Sequence, residues 1–129
     1  MSALTEVAVA VAVVVILAGA AVPIVSGAVA GFRLSAGTAA VFEAATRART
    51  FARVAARPVT LQLVADGWII RDETGRILDA GLVEGVSLYS AIVAFNPVGA
   101  VAAPVTLTVV NEVGTRQLTV SIPGVIRVN

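Results

Sequence analysis

Cysteine and histidine are both absent from this 129-residue chain. Without cysteine there is no disulfide, thiol nucleophile or thiolate metal site. Without histidine the commonest general base and the commonest metal ligand are missing too. Lysine is also absent, so all nine basic residues are arginine. Against eight carboxylates they leave a net charge of +1, and no strong field draws nucleic acid or anionic lipid. There is no P-loop, nucleophile elbow or dinucleotide fingerprint.

The most informative absence is local. No charge occurs from Val7 to Phe32, a run of 26 residues with Glu6 at its head and Arg33 at its end. As a helix such a run reaches about 39 Å, enough to cross a hydrocarbon core of about 30 Å. A carboxylate where the helix enters the membrane is unfavourable, by up to about 3 kcal/mol at the bilayer centre, so Glu6 calls for a partner. The chain is 58% hydrophobic with a mean hydropathy of +0.97, too apolar for an ordinary soluble domain. These features predict a transmembrane or filament-core helix over residues 1–33 and a small globular head over 34–129.

Two plainer readings compete for the first segment. LAGAA at residues 17–21 offers a small-residue cleavage site of the secretory type. Against it, no Lys or Arg precedes residue 33, and the apolar run continues past that site. A simple signal anchor meets another difficulty. The only flanking positive charge, Arg33, lies on the head side and would turn the head toward the cytoplasm.

Pro23 removes a helical hydrogen bond and predicts a kink, with Gly19 and Gly27 weakening the helix four residues to either side. Residues 35–57 read as an amphipathic helix continuing the first. Val41, Ala44, Ala48, Phe51 and Ala55 share one face, Glu43 and Arg47 form an i,i+4 pair, and Gly37 is the weak point. Arg49, Arg53 and Arg57 recur every fourth residue as an interaction ridge, for solvent, a neighbouring subunit or an acidic partner such as DNA. Pro58 ends the helix.

The remainder, 58–129, alternates as strands. VTLQLVAD and WIIRD form a hairpin about Asp66-Gly67, and Thr74-Gly75 turns into RILDAGL. GVSLYSAIVAF leads to a loop with Asn96, Pro97 and Gly99. APVTLTVVNEVG and TRQLTVSIPGVIRVN pair through a turn over Glu112 to Thr115. The fold class is α+β: a long N-terminal helix packed on an antiparallel β-sheet. Trp68 reads as a core or sheet anchor. Asp72, Glu73 and Asp79 offer oxygen ligands for calcium, without a dense acidic loop to support a site. No catalytic, metal or cofactor site is predicted, and the chain does not read as an enzyme.

SALTEVAVAVAVVVILAGAAVP resembles the N-terminal segment of type IV pilins and type II secretion pseudopilins. Glu6 and Pro23 are 17 positions apart, as the family's fifth-position glutamate and twenty-second-position proline are when the mature chain begins at Ser2. Ser2 stands where the family usually has Phe, and Met1 where it has the Gly before the cut. The head resembles the H-type minor pseudopilin and related minor pilins. The carrying residues are Arg57-Pro58-Val59-Thr60-Leu61, Gly67-Trp68, Phe95-Asn96-Pro97-Val98-Gly99, and Arg116, Leu118, Val120, Gly124, Ile126, Arg127 and Val128. The resemblance implies a pilin fold and a structural subunit that polymerises through its hydrophobic helix. It implies that Glu6 neutralises the Ser2 amine of a neighbouring copy and so sets register. It further implies cleavage and N-methylation by a prepilin peptidase, and an inner-membrane assembly platform. The subunit would be stored in the bacterial inner membrane, then enter a periplasmic or cell-surface filament with copies of itself or other pilins. The alternatives are a membrane-anchored, non-polymerising β-domain that binds something else, or a minor pilin for DNA uptake using the arginine ridge.

Overall fold

The computed structural model describes the backbone of residues 2–129 and the side chains of residues 27–129. Helix α1 runs from Ser2 to Ala55. Eight strands follow: β1 (Val59–Val64), β2 (Gly67–Asp72), β3 (Ile77–Leu82), β4 (Ser87–Leu88), β5 (Ala91–Phe95), β6 (Val105–Asn111), β7 (Gly114–Val120) and β8 (Ile126–Val128).

All strand pairs are antiparallel, as expected, but they build two four-stranded sheets rather than one. The first has the order β3-β2-β1-β5, the second β4-β6-β7-β8. The division arises within the segment GVSLYSAIVAF. Leu88 is buried beside β6, Tyr89 and Ser90 are exposed, and Ala91 resumes against β1. The chain thus crosses from one sheet to the other in two residues. Pro97, Gly99 and Pro104 then break the path between β5 and β6, because proline lacks the donor a ladder needs.

Period-two burial marks β1, whereas in β6 Thr108 is buried along with its neighbours. Val59, Leu61 and Leu63 point inward from β1, and Leu107 and Val109 from β6. With Ile70, Val93, Phe95, Leu118 and Val120 they are excluded from water, each contributing about 1.5–3 kcal/mol of transfer free energy. The helix lays one stripe across them: Ala30, Leu34, Val41, Ala44, Ala45, Ala48 and Ala52. The alanines let the backbone come close to the sheets, at the cost of little side-chain area. Ala45 and Ala52 replace the expected Ala55, which is exposed, and Phe51 is only half buried. Gly37 is no weak point. Its side is buried, and a β-carbon there would meet Val86 Cγ2 at 2.8 Å.

Helix α1 stops at Ala55, two residues short of the expected end. Ala56 adopts φ 52°, and the Arg57 amide donates to the Ala52 carbonyl at 3.1 Å. That six-to-one bond is a Schellman closure, with alanine in the left-handed position that glycine usually fills. Pro58 follows and cannot continue the helix. The first hairpin turns on Ala65 and Asp66, not Asp66 and Gly67, since Val64 pairs with Gly67. Neither turn residue has positive φ, so it is not one of the primed turns that an Asp-Gly pair would favour. Gly67 is required for another reason: a β-carbon there would lie 2.2 Å from the Gly81 carbonyl oxygen. The expected turns at Gly75 and Asn96–Gly99 are present, and the one expected over Glu112 to Thr115 closes on Glu112 and Val113, because Asn111 pairs with Gly114 and Val110 with Thr115.

Candidate assembly surface

The helix enters the head at Ala30, four residues earlier than the expected boundary at residue 34. Ala30 is buried, and its carbonyl accepts a bond from Asn111 Nδ2 at 2.7 Å. Leu34 then packs inward, and Thr38 returns its hydroxyl to the Leu34 carbonyl at 2.7 Å. The base of the head is therefore built from the start of this segment, the β3–β4 loop and the β6–β7 turn. Gly85 lies under the Arg33 side chain there, and Gly114 near Leu34.

Three arginines of the helix and Arg57 just past its end face the head. Arg47 does not pair with Glu43, one turn away. Its guanidinium instead forms a salt bridge with Asp79 on β3 and lies 5.7 Å from the centroid of the Trp68 ring. The tertiary contact wins because Arg47 borders the sheet, where an ion pair and a ring face are both in reach. Trp68 is the expected anchor. It is buried, and its ring covers Gly81, where a β-carbon would come within 2.5 Å.

All three arginines of the predicted ridge, Arg49, Arg53 and Arg57, touch the head, and Arg49 does so most closely. Arg49 is half buried. Its Nε donates to the Gly99 carbonyl at 3.2 Å and its Nη2 to the Pro123 carbonyl at 3.3 Å. It thereby joins the β5–β6 loop to the β7–β8 loop. The two loops also bond directly, Val101 N to Ile122 O at 2.9 Å. Gly124 and Gly99 have φ of +87° and +83°, and a β-carbon on Gly124 would lie 1.9 Å from the Gly99 carbonyl oxygen. The methylenes of Arg53 rest on Gly99, and Arg57 reaches Glu73 at 3.7 Å on the surface. No sequence signal links Arg49 to Gly99 and Pro123, because the contacts span 50 and 74 positions.

The acidic residues have structural occupations. The Asp72 carboxylate accepts from the Thr74 hydroxyl, from the Thr74 amide and from the Arg76 amide. The Thr74 hydroxyl bond is the chief reason its carboxyl titrates below the ordinary aspartate value, with the backbone bonds and nearby Arg76 adding to it against some desolvation. Asp79 is engaged by Arg47, and Glu73 faces Arg57. Among the described residues no group of three or more potential ligands is placed to hold a metal.

Ser2, Glu6, Gly19 and Pro23 lie outside the residues whose side chains are described, as does most of the expected membrane span. Among the described residues no helix is long and apolar enough to cross a membrane. Gly27, the last member of the predicted kink, is exposed, with nothing within 4 Å of a β-carbon built on it. Past it the outward face of α1 stays apolar, with Val29 41% and Phe32 74% exposed. Leu82, at the end of β3, is 78% exposed beside them.

No family profile and no curated protein matches the chain. Two solved structures resemble its fold, both crystal forms of the type IV minor pilin FimU of Pseudomonas aeruginosa strain PAO1. Each matches with a TM-score of 0.56 at 17% identity, covering 66% of this chain and 83% or 79% of that one. The α+β architecture, an N-terminal helix packed on antiparallel sheet, is thus the fold of a type IV minor pilin.

Proposed function

We propose that this chain is a structural subunit of a type IV pilus or a type II secretion pseudopilus. The observation that carries the reading is a combination. A head with the minor-pilin fold hangs from a helix whose N-terminal run holds Glu6 and Pro23 at the pilin spacing. The helix would be stored in the inner membrane and then pack against neighbouring helices in a filament core. Its many alanines, with Gly19, Gly27 and Gly31, favour close helix approach. Glu6 would meet the Ser2 ammonium of an adjacent copy, two costly charges made tolerable by pairing. Prepilin peptidase cleavage before Ser2, N-methylation and an inner-membrane platform belong to the same proposal. Within the family the head motifs favour a minor subunit of the H-type pseudopilin kind.

Glu6→Ala tests the register role. Filament yield collapses while membrane insertion survives; undiminished filaments would remove Glu6 from assembly. Mass spectrometry of the native N-terminus tests processing, with Ser2, free or methylated, as the expected first residue. The placement of Arg49 against two carbonyls of its own head speaks against a DNA-uptake ridge. DNA binding is expected to be absent even at low salt, where phosphate contacts are strongest.

A further inference from the structure

The base of the head gathers apolar side chains from separate elements. Phe32 and Val29 come from the helix, Leu82 and Val83 from the end of β3 and the loop after it. They border an open groove of about 470 Å³ with Arg33 and Glu84 at its rim. Phe32 and Leu82 are 74% and 78% exposed. Val113, 49% exposed, projects from the β6–β7 turn of the same end. The outer face of the second sheet differs, with Thr106, Thr115 and Gln117 toward water.

The length of chain ahead of this patch identifies what covers it. Twenty uncharged residues, Val7 to Ser26, precede Gly27. As a helix they reach about 30 Å, the thickness of a hydrocarbon core. The next seven residues, Gly27 to Arg33, rise about 10 Å more, comparable to the interfacial layer. The head already grips the helix at Ala30, so no spacer separates it from the lipid. With the span filling the core, the groove falls at headgroup depth.

We propose that this base is a bilayer-contact surface, with Phe32 and Leu82 seated at the membrane interface while the subunit is stored. The inference rests on the reading of residues 7–26 as a membrane span. The charges at this end are Arg33, Asp66, Glu84 and Glu112, with Asp66 on the β1–β2 turn beside Val83. They form no basic patch, so the contact is apolar and gains nothing from anionic lipid.

The chain's lack of cysteine makes the test direct. Val14→Cys, Leu82→Cys and Thr106→Cys in the full chain each carry one nitroxide label, with one protomer per phosphatidylcholine nanodisc. Collision with oxygen reports lipid, and collision with a water-soluble nickel chelate reports solvent. The Val14 site is expected to be oxygen-rich and the Thr106 site fully open to nickel. The Leu82 site should be several-fold less open to nickel than Thr106, and unchanged when phosphatidylglycerol is added. If the Leu82 label is as nickel-accessible as the Thr106 label while Val14 stays in lipid, the proposal fails and the span stands. If Val14 is open to nickel, the span fails and takes the proposal with it. Shielding of Leu82 that appears only with several protomers per disc makes a second copy the occupant and overturns the lipid contact.

Discussion

Replacing Arg49 by methionine keeps most of the packing volume and deletes both donors that join the β5–β6 and β7–β8 loops. Hydrogen bonds from a charged donor contribute about 1.5–3 kcal/mol each when short and buried. These two are long, 3.2 and 3.3 Å, and one lies at the surface, so about 1 kcal/mol each is the fitting value. The Gly99 carbonyl is left under a buried glycine with one donor fewer. A total loss of about 2 kcal/mol follows, or roughly 10 °C in Tm for a head of this size. Urea unfolding of the full chain in detergent, read by Trp68 fluorescence, measures it. Amide exchange then localises it: the Val101 amide, bonded to Ile122 O at 2.9 Å, should exchange at least tenfold faster. Arg49→Lys, with one compact ammonium in place of a fork, should fall between. If Arg49→Met changes stability by less than about 0.5 kcal/mol, within ordinary surface variation, and Val101 keeps its protection, the arginine is not a fastener.

Three further outcomes follow from the geometry. Ala56→Gly relieves a left-handed alanine at φ 52° and should raise stability by about 0.5–1 kcal/mol in the same urea experiment, the gain reduced by glycine's unfolded-state entropy. Gly81→Ala places a methyl group 2.5 Å from Trp68 Cζ2; the ring must move, costing about 1–3 kcal/mol and shifting the emission of the only tryptophan. Asp72 titrates below the ordinary aspartate value because its charged form accepts the Thr74 and Arg76 bonds. A depressed folded-state pKa adds stability above the unfolded value and loses it as pH falls through the folded one, so NMR titration should show the 72–76 turn loosening only in that acid window, and a midpoint at or above the ordinary value would contradict the bonding.

Local signals carried much of the fold. Pro58, the turn at Gly75 and the Asn96–Gly99 loop are short-range features, and each stands where its residues place it. The alternation and Val/Thr content of β1, β6 and β7 marked them as strands directly. Legibility failed where a distant partner outbid a near one. Arg47 reaches Asp79 across 32 positions rather than Glu43 across four. The division into two sheets depends on the crossing at Tyr89-Ser90, which alternation alone cannot reveal. Gly67 reads as a turn residue, yet a neighbouring carbonyl leaves no room for a side chain there, and the same holds at Gly124 within the segment that reads as the last strand. For the candidate site, the uncharged run singled out Glu6 at its head and Pro23 within it, the resemblance to pilins gave their spacing a meaning, and the seat of Arg49 required the folded loops.

The contact of Arg49 with Gly99 and Pro123 has a mechanical meaning. A covalent bridge at that end of the molecule would need an oxidant to form and would stay broken once cut. A guanidinium held between two carbonyls lets go under load and re-forms when the load is removed. A closure of this kind depends on no redox chemistry and holds in a reducing or an oxidising medium alike.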